Sequence, residues 1–290
     1  MAKLDRLGWN VGFNFQAYGA RFGVRSNDPE LLEKLRQKLP PGARDDPGRK
    51  VVDVLISARR APPGARPGLR NFHLLYLSIA RVARTTELDE IIAGFENQIH
   101  LLVAAFARRC VFIHAGCVGW QGRTIVLPGR TMAGKSTLVR ALVRAGADYF
   151  SDEYAVIDPR GRVCPYPKPI SVRGEPDTKP REVTAEELGG RAGWKPLPLG
   201  LVASVTYAAG ANGRLRELSP AESVMELLAN AVAVRRSPEL TLSLIQRATV
   251  AARAVKGRRG EATAMVPQLL RRCQPRPVKI VARPRGGKNR

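Results

Sequence analysis

Gly129-Arg130-Thr131-Met132-Ala133-Gly134-Lys135-Ser136-Thr137 decides how the chain is read. It fits the pattern G-x-x-x-x-G-K-[ST], and its setting is as informative as its letters. The β-rich stretch Thr124 to Leu127 ends at Pro128 immediately before it, and a helical pattern runs from Ser136 to about Arg144, closed by Gly146. In that order, strand, glycine-rich turn and helix form a cradle for phosphate. The turn aims successive N–H groups inward, and the helix adds its positive N-terminal end. Gly129, Arg130, Thr131, Met132, Ala133, Gly134, Lys135, Ser136 and Thr137 are therefore expected to hold a nucleoside triphosphate, with ATP as the first choice. Lys135 would reach the outer phosphates, and Ser136 would offer its hydroxyl to Mg²⁺.

Outward from the loop, acids come early. Asp152 and Glu153 follow Lys135 by seventeen and eighteen residues, at the start of the next strand pattern. Adjacent acids within a strand point to opposite faces. At a strand end, one can face a metal while its neighbour reaches a substrate hydroxyl, although the same pair in isolation also reads as a solvated turn. Upstream, His114 interrupts the apolar run Val111-Phe112-Ile113-His114-Ala115. A lone His there is more often a satisfied core residue than a catalyst, yet it lies one hairpin before the loop and could emerge beside the acids.

His114, the loop with Lys135 twenty-one residues later, and the Asp152-Glu153 pair resemble, in order and spacing, the catalytic domain of HPr kinase/phosphorylase. The likeness covers about 108–174 and continues more weakly to about Leu270. It is closest to the HPr-kinase-related branch, through the run Pro165-Tyr166-Pro167-Lys168-Pro169-Ile170-Ser171. The resemblance implies a P-loop kinase core akin to phosphoenolpyruvate carboxykinase, and phosphorylation of a serine hydroxyl with ATP and Mg²⁺. It further implies Glu153 as proton acceptor, Asp152 and Ser136 as metal supports, and His114 orienting or polarising the acid. Two departures stand out. Glu153 occupies a position where the family has Asp. Ile170-Ser171-Val172-Arg173-Gly174 replaces Leu-Glu-Ile-Arg-Gly, so the second metal-binding glutamate becomes Ser171. This loss weighs against phosphorolysis and against HPr itself as acceptor.

The remainder reads as α/β, with a smaller N-terminal α/β region at 1–107, the ATP-binding catalytic domain with C-terminal helices at 108–274, and a tail at 275–290. In the first region Asn27-Asp28-Pro29-Glu30 starts a helix that stops at Pro40. Val51 to Ser57 and Phe72 to Val82 read as strands, and Thr86 to Ala107 is a long helix with acids first and arginines last. In the second, Val111 to Val118, Tyr149 to Ile157 and Leu199 to Tyr207 read as strands. The capping-box spacing Ser219-Pro220-Ala221-Glu222 opens a helix through Val234, and Ser237-Pro238-Glu239 opens another to about Val255.

Forty-eight Lys and Arg against 25 Asp and Glu give a net charge of +23, which favours polyanionic or acidic partners. The Pro/Gly- and Arg-rich end from Pro275 to Arg290 has the composition of a solvated tail. Cys110, Cys117, Cys164 and Cys273 lack metal-ligand spacing, and no apolar run is long enough to span a bilayer. With no signal-like segment, a reduced cytoplasmic setting without disulfides is expected.

The partners expected are ATP and a hydroxyl-bearing acceptor (protein, peptide or metabolite), with a homo-oligomer left open. The kinase reading stands beside two others. One is a nucleotide-binding regulator or assembly ATPase with no acceptor. The other, ranked last, is a nucleic-acid-associated protein, which the charge suggests but no recognition motif supports.

Overall fold

The computed structural model describes residues 5–48, 51–64, 71–129, 133–172 and 181–274. Arg130, Thr131 and Met132 of the loop, Arg173, Gly174 and the tail 275–290 lie outside them. The fold is mixed α/β, with six helices among the described residues.

A six-stranded sheet opens the chain, in the order β3-β1-β2-β4-β5-β6. Strands β1 (Val11–Ala17) and β2 (Ala20–Ser26) form a hairpin whose register Ala17↔Ala20 leaves only Tyr18-Gly19 for the turn. Both turn residues have positive φ (49° and 87°), the twist a two-residue hairpin favours. Strand β3 (Arg44–Asp45) edges β1, and β4 (Val54–Arg59) runs parallel to β2. The single strand expected over Phe72–Val82 is instead the hairpin β5 (His73–Leu77) and β6 (Ala80–Thr85), reversing at Ser78-Ile79. Neither turn residue is Gly or Pro, and Ser78 takes φ 51° without a compositional cue.

The helix α1 (Pro29–Arg36) starts where expected, because the Asp28 side chain accepts from the Leu31 N–H at 2.7 Å. The long helix α2 (Leu88–Phe106) buries Ile91, Phe95, Ile99 and Val103 against the sheet.

The second sheet has eight strands. Strand β7 (Val111–Trp120) turns at Gln121-Gly122 into β8 (Arg123–Pro128), which runs parallel to β14 (Leu197–Tyr207). Strand β14 in turn runs parallel to β16 (Arg253–Arg259), with β15 (Leu215–Glu217) at the edge. On its other side β7 pairs first with β9 (Asp148–Ser151) and then with β10 (Tyr154–Ile157). Strand β11 (Arg162–Cys164) joins β10 and closes back onto β14. Strands β12 (Ile170–Val172) and β13 (Arg181–Val183) form a separate pair.

One face of this sheet is covered by α3 (Lys135–Arg144) and α6 (Ala262–Cys273). The other is covered by α4 (Pro220–Leu228) and α5 (Pro238–Thr249).

Three expected elements end differently. The strand expected over Tyr149–Ile157 is two, broken at Asp152-Glu153, although Cys117↔Ser151 and His114↔Tyr154 keep one register on β7. Helix α4 stops at Leu228 rather than Val234. Past it the backbone is drawn to residues 111–114, the part of β7 that β8 does not reach, where the His114 N–H donates to the Asn230 carbonyl at 2.8 Å and the Val232 N–H to that of Phe112 at 2.9 Å. Helix α5 stops at Thr249 rather than Val255, because residues from Arg253 onward are recruited into the sheet beside Leu201 and its successors. Tertiary pairing overrides local propensity at both places.

The core under the six-stranded sheet continues across position 108. Phe15, Phe22, Leu35 and Phe95 share one buried cluster with Phe112, Tyr154, Val156 and Tyr166. The four cysteines are free, and among the described residues no helix is long and apolar enough to cross a membrane.

Candidate functional site

The site forms where β8, β14 and β16 end. Pro128 ends β8, and the chain turns through Gly129 and Ala133-Gly134 into α3. Gly134 caps α3 in the left-handed region (φ 81°) with no side-chain cap. A Cβ there would stand 2.6 Å from the Arg259 guanidinium, so glycine is required on two counts. Gly116 on β7 plays a matching part underneath. A Cβ there would meet Val139 at 2.6 Å, so its absence lets α3 lie close on the sheet and brings the loop down to the strand ends.

Neighbouring strands pin the loop. The Tyr207 N–H at the end of β14 donates to the Ala133 carbonyl at 3.4 Å. Arg259, at the end of β16 and only 2% exposed, donates to the Gly134 carbonyl at 2.8 Å and to the Gly260 carbonyl at 2.8 Å.

Lys135 begins α3 and its ammonium turns back over the loop, donating to the Gly129 carbonyl at 2.8 Å. Its Nζ also lies 3.4 Å from His114 Nε2. For the ammonium to donate, Nε2 must carry a lone pair, so His114 is the neutral imidazole protonated on Nδ1. The electrostatics agree. Burial lowers the His114 pKa and the Lys135 charge lowers it further, against the opposing pull of Glu153. Burial also lowers that of Lys135, with Asp152 and Glu153 opposing.

The break between β9 and β10 presents the two acids. The Ser136 hydroxyl donates to Asp152 Oδ2 at 3.1 Å, and the Tyr149 hydroxyl lies 3.3 Å from Oδ1 while donating to the Lys168 carbonyl at 2.6 Å. Burial raises the Asp152 carboxyl above its usual range, and the Ser136 bond works against that. Glu153 points elsewhere: its Oε2 is 3.4 Å from Lys168 Nζ, and its carbonyl accepts from the Ala115 N–H at 3.1 Å. The adjacent carboxylates thus face different partners, Asp152 the hydroxyl at the loop and Glu153 a lysine across from it.

Lys135, Ser136, Asp152, Glu153 and His114 therefore converge on one end of the sheet. The ring of His114 is directed at Lys135, with Glu153 acting on it through charge and backbone. Thr137 is exposed on the first turn of α3. Ser171 sits on β12, exposed and paired with Glu182 in the small separate sheet.

The sequence reading missed Tyr149, Lys168 and Arg259. In sequence Arg259 is one cation among 48, and nothing in its neighbours Arg258 and Gly260 marks it for burial. Lys168 lies inside the Pro165–Ser171 run without a role of its own, and the sequence marks Tyr149 only as the start of a strand.

Among the described residues no group of three or more His, Cys, Asp or Glu side chains gathers around a common point. One hydroxyl and one carboxylate, Ser136 and Asp152, fit the sparse protein contribution of a Mg²⁺ site, where phosphate oxygens and water complete the shell. Compared with known proteins, the chain matches no protein-family model and no curated protein.

Proposed function

We propose that the chain is an ATP- and Mg²⁺-dependent kinase. It would transfer the γ-phosphoryl group to the hydroxyl of a serine, or of another protein, peptide or small-metabolite acceptor in the cytoplasm. The P-loop kinase core would be of the HPr kinase/phosphoenolpyruvate carboxykinase type, with 108–274 as catalytic unit and 1–107 as an accessory region.

The observation that carries this reading is the pairing of Ser136 Oγ with Asp152 Oδ2 at 3.1 Å, while the next residue, Glu153, is held away from it by Lys168. On this reading Asp152 would serve the metal, and Glu153, turned to Lys168, would exchange that partner for the acceptor hydroxyl.

Loop amides and Lys135 would bind the phosphates, and Mg²⁺ on Ser136 and Asp152 would offset charge on the outer phosphates. The acceptor oxygen attacks the γ-phosphorus in line, the bond to the β–γ bridging oxygen breaks, and ADP leaves with that electron pair. Glu153 takes the acceptor's hydroxyl proton. Neutral His114 receives the Lys135 ammonium and keeps it poised over the loop.

Incubation with γ-labelled ATP, Mg²⁺ and a panel of hydroxyl-bearing acceptors, acidic peptides included, should transfer label to at least one. A second reading, a nucleotide-binding regulatory or assembly ATPase, is favoured by Ser171, which carries no carboxylate where a second metal contact would lie. Label released only as inorganic phosphate across the whole panel would sink the kinase reading and support the ATPase.

A further inference from the structure

We propose that Tyr207 is the platform on which the base of the bound nucleotide stacks. The proposal rests on the phosphate-loop reading above and supplies a partner for the half of the ligand that the loop does not hold.

The sheet gives the nucleotide its direction. In the order β10-β7-β8-β14-β16, the loop leaves the end of β8 between two flanks. The flank at β7 carries Asp152 and Glu153, and Ser136 and Lys135 turn to that side, toward Asp152 and His114. Metal and outer phosphates therefore belong there, and the nucleoside leaves toward β14 and β16. Strand β14 rises above the base of the loop. Val202 pairs with Val126, and β14 runs on five residues from that pair to Tyr207, whereas β8 runs on only two to Pro128. The difference of three residues places Tyr207 about 10 Å beyond the level of Pro128, at about 3.3 Å per residue.

An isolated aromatic on a surface is ordinary, and its place is what distinguishes Tyr207. It is the last residue of β14, its N–H donates to the Ala133 carbonyl at 3.4 Å, and a Cβ on Gly134 would lie 3.4 Å from its own. The side chain therefore starts against the loop itself. Arg259, its partner in register on β16, donates to the Gly134 carbonyl, and the guanidinium carbon lies 5.5 Å from the ring centroid, within cation–π reach. Arg259 backs the ring while Tyr207 stays 48% exposed, which leaves ring surface for a base to cover. Every nucleobase presents a π-face to such a platform, and a purine presents the larger one. The loop then binds the phosphates and Tyr207 the nucleoside.

The test is equilibrium titration of the full chain with Mg²⁺–ATP and, separately, with Mg²⁺–tripolyphosphate, which carries the phosphates without the nucleoside. Tyr207→Ala keeps the backbone N–H that pins Ala133. It should weaken ATP binding about fivefold to a hundredfold and leave tripolyphosphate binding unchanged. Tyr207→Phe, which keeps the ring, should bind both ligands as the parent does. ATP affinity unaltered by Tyr207→Ala would overturn the platform. Equal weakening of both ligands would overturn it too, because the side chain would then only shape the loop. A loss in Tyr207→Phe as large as in Tyr207→Ala would also overturn it, by assigning the contact to the hydroxyl. Failure of the parent chain to bind either ligand would instead remove the phosphate-loop reading on which the platform stands.

Discussion

At the scale of single residues, Asp152 and Glu153 are adjacent in sequence and divergent in surroundings. Asp152 is tied to Ser136 and Tyr149, Glu153 to Lys168. If Glu153 accepts the proton, Glu153→Gln should slow transfer by about 10²- to 10⁴-fold while ATP affinity, followed by equilibrium titration, stays the same. Asp152→Asn should instead raise the Mg²⁺ concentration needed for half-maximal rate. An Asp152→Asn enzyme with normal Mg²⁺ dependence but no transfer would exchange the two roles. The sequence showed both acids and their nearness to the loop. It did not show which faced which partner, because that depends on where β9 gives way to β10.

His100 supplies a residue-scale prediction away from the site. It is 3% exposed, its Nδ1 lies 2.6 Å from the Tyr166 hydroxyl, and burial lowers its pKa to about 3. The unfolded chain, with histidine near 6.5, then binds more protons than the native one between the two values, so stability falls as pH drops through that window. The slope due to this group approaches about 1.4 kcal/mol per pH unit. Denaturant unfolding at pH 7, 6, 5 and 4 should show it in the parent and lose it in His100→Gln. Equal slopes in both would mean that burial does not lower the His100 pKa.

At the scale of elements, the sequence was most legible where caps and periodicity agree. Asp28 starts α1 and Ser219 starts α4 through the capping box its spacing announced, with the Glu222 N–H donating to Ser219 Oγ at 3.2 Å. It was least legible where a neighbour's need decided the outcome. Residues 230–232 leave the helix to serve the edge of β7, and β16 exists because β14 offers it an edge. The Val11–Ser26 hairpin was missed because its turn, Tyr18-Gly19, has a weak composition signal.

The junction between loop and α3 was legible as Gly134, but its constraint was not, since Arg259 lies 125 residues away. Gly134→Ala places a methyl in the left-handed region and against that guanidinium. It should cost about 1–3 kcal/mol in unfolding free energy and weaken ATP binding, because the loop must shift to admit it. Unchanged stability and affinity would show that Arg259 does not fix the loop.

At the scale of the whole molecule, composition and motif placement suggest that the chain divides near position 107, yet the buried core does not stop there. Phe112 and Tyr166 are fully buried in the cluster that also holds Phe15, Phe22 and Phe95, and the Tyr18 ring meets that of Phe112 edge-on at 4.9 Å. Tyr154, directly after Glu153, packs against Phe112, Tyr166 and His114. The strand that carries His114 is therefore backed on one side by residues of the first sheet, so the site's geometry rests on packing contributed from before position 108. A chain begun at Arg108 would expose Phe112, Tyr154 and Tyr166 together, a contiguous apolar surface of the kind that drives association. It should elute as aggregate in size-exclusion chromatography and melt without a cooperative transition, whereas the full chain melts cooperatively. If the shortened chain instead melts cooperatively as a monomer and binds ATP like the parent, residues 1–107 are a separable unit and the shared core is dispensable. If it folds but binds ATP weakly, the first region acts on the site through Phe112, Tyr154 and the strand that holds His114.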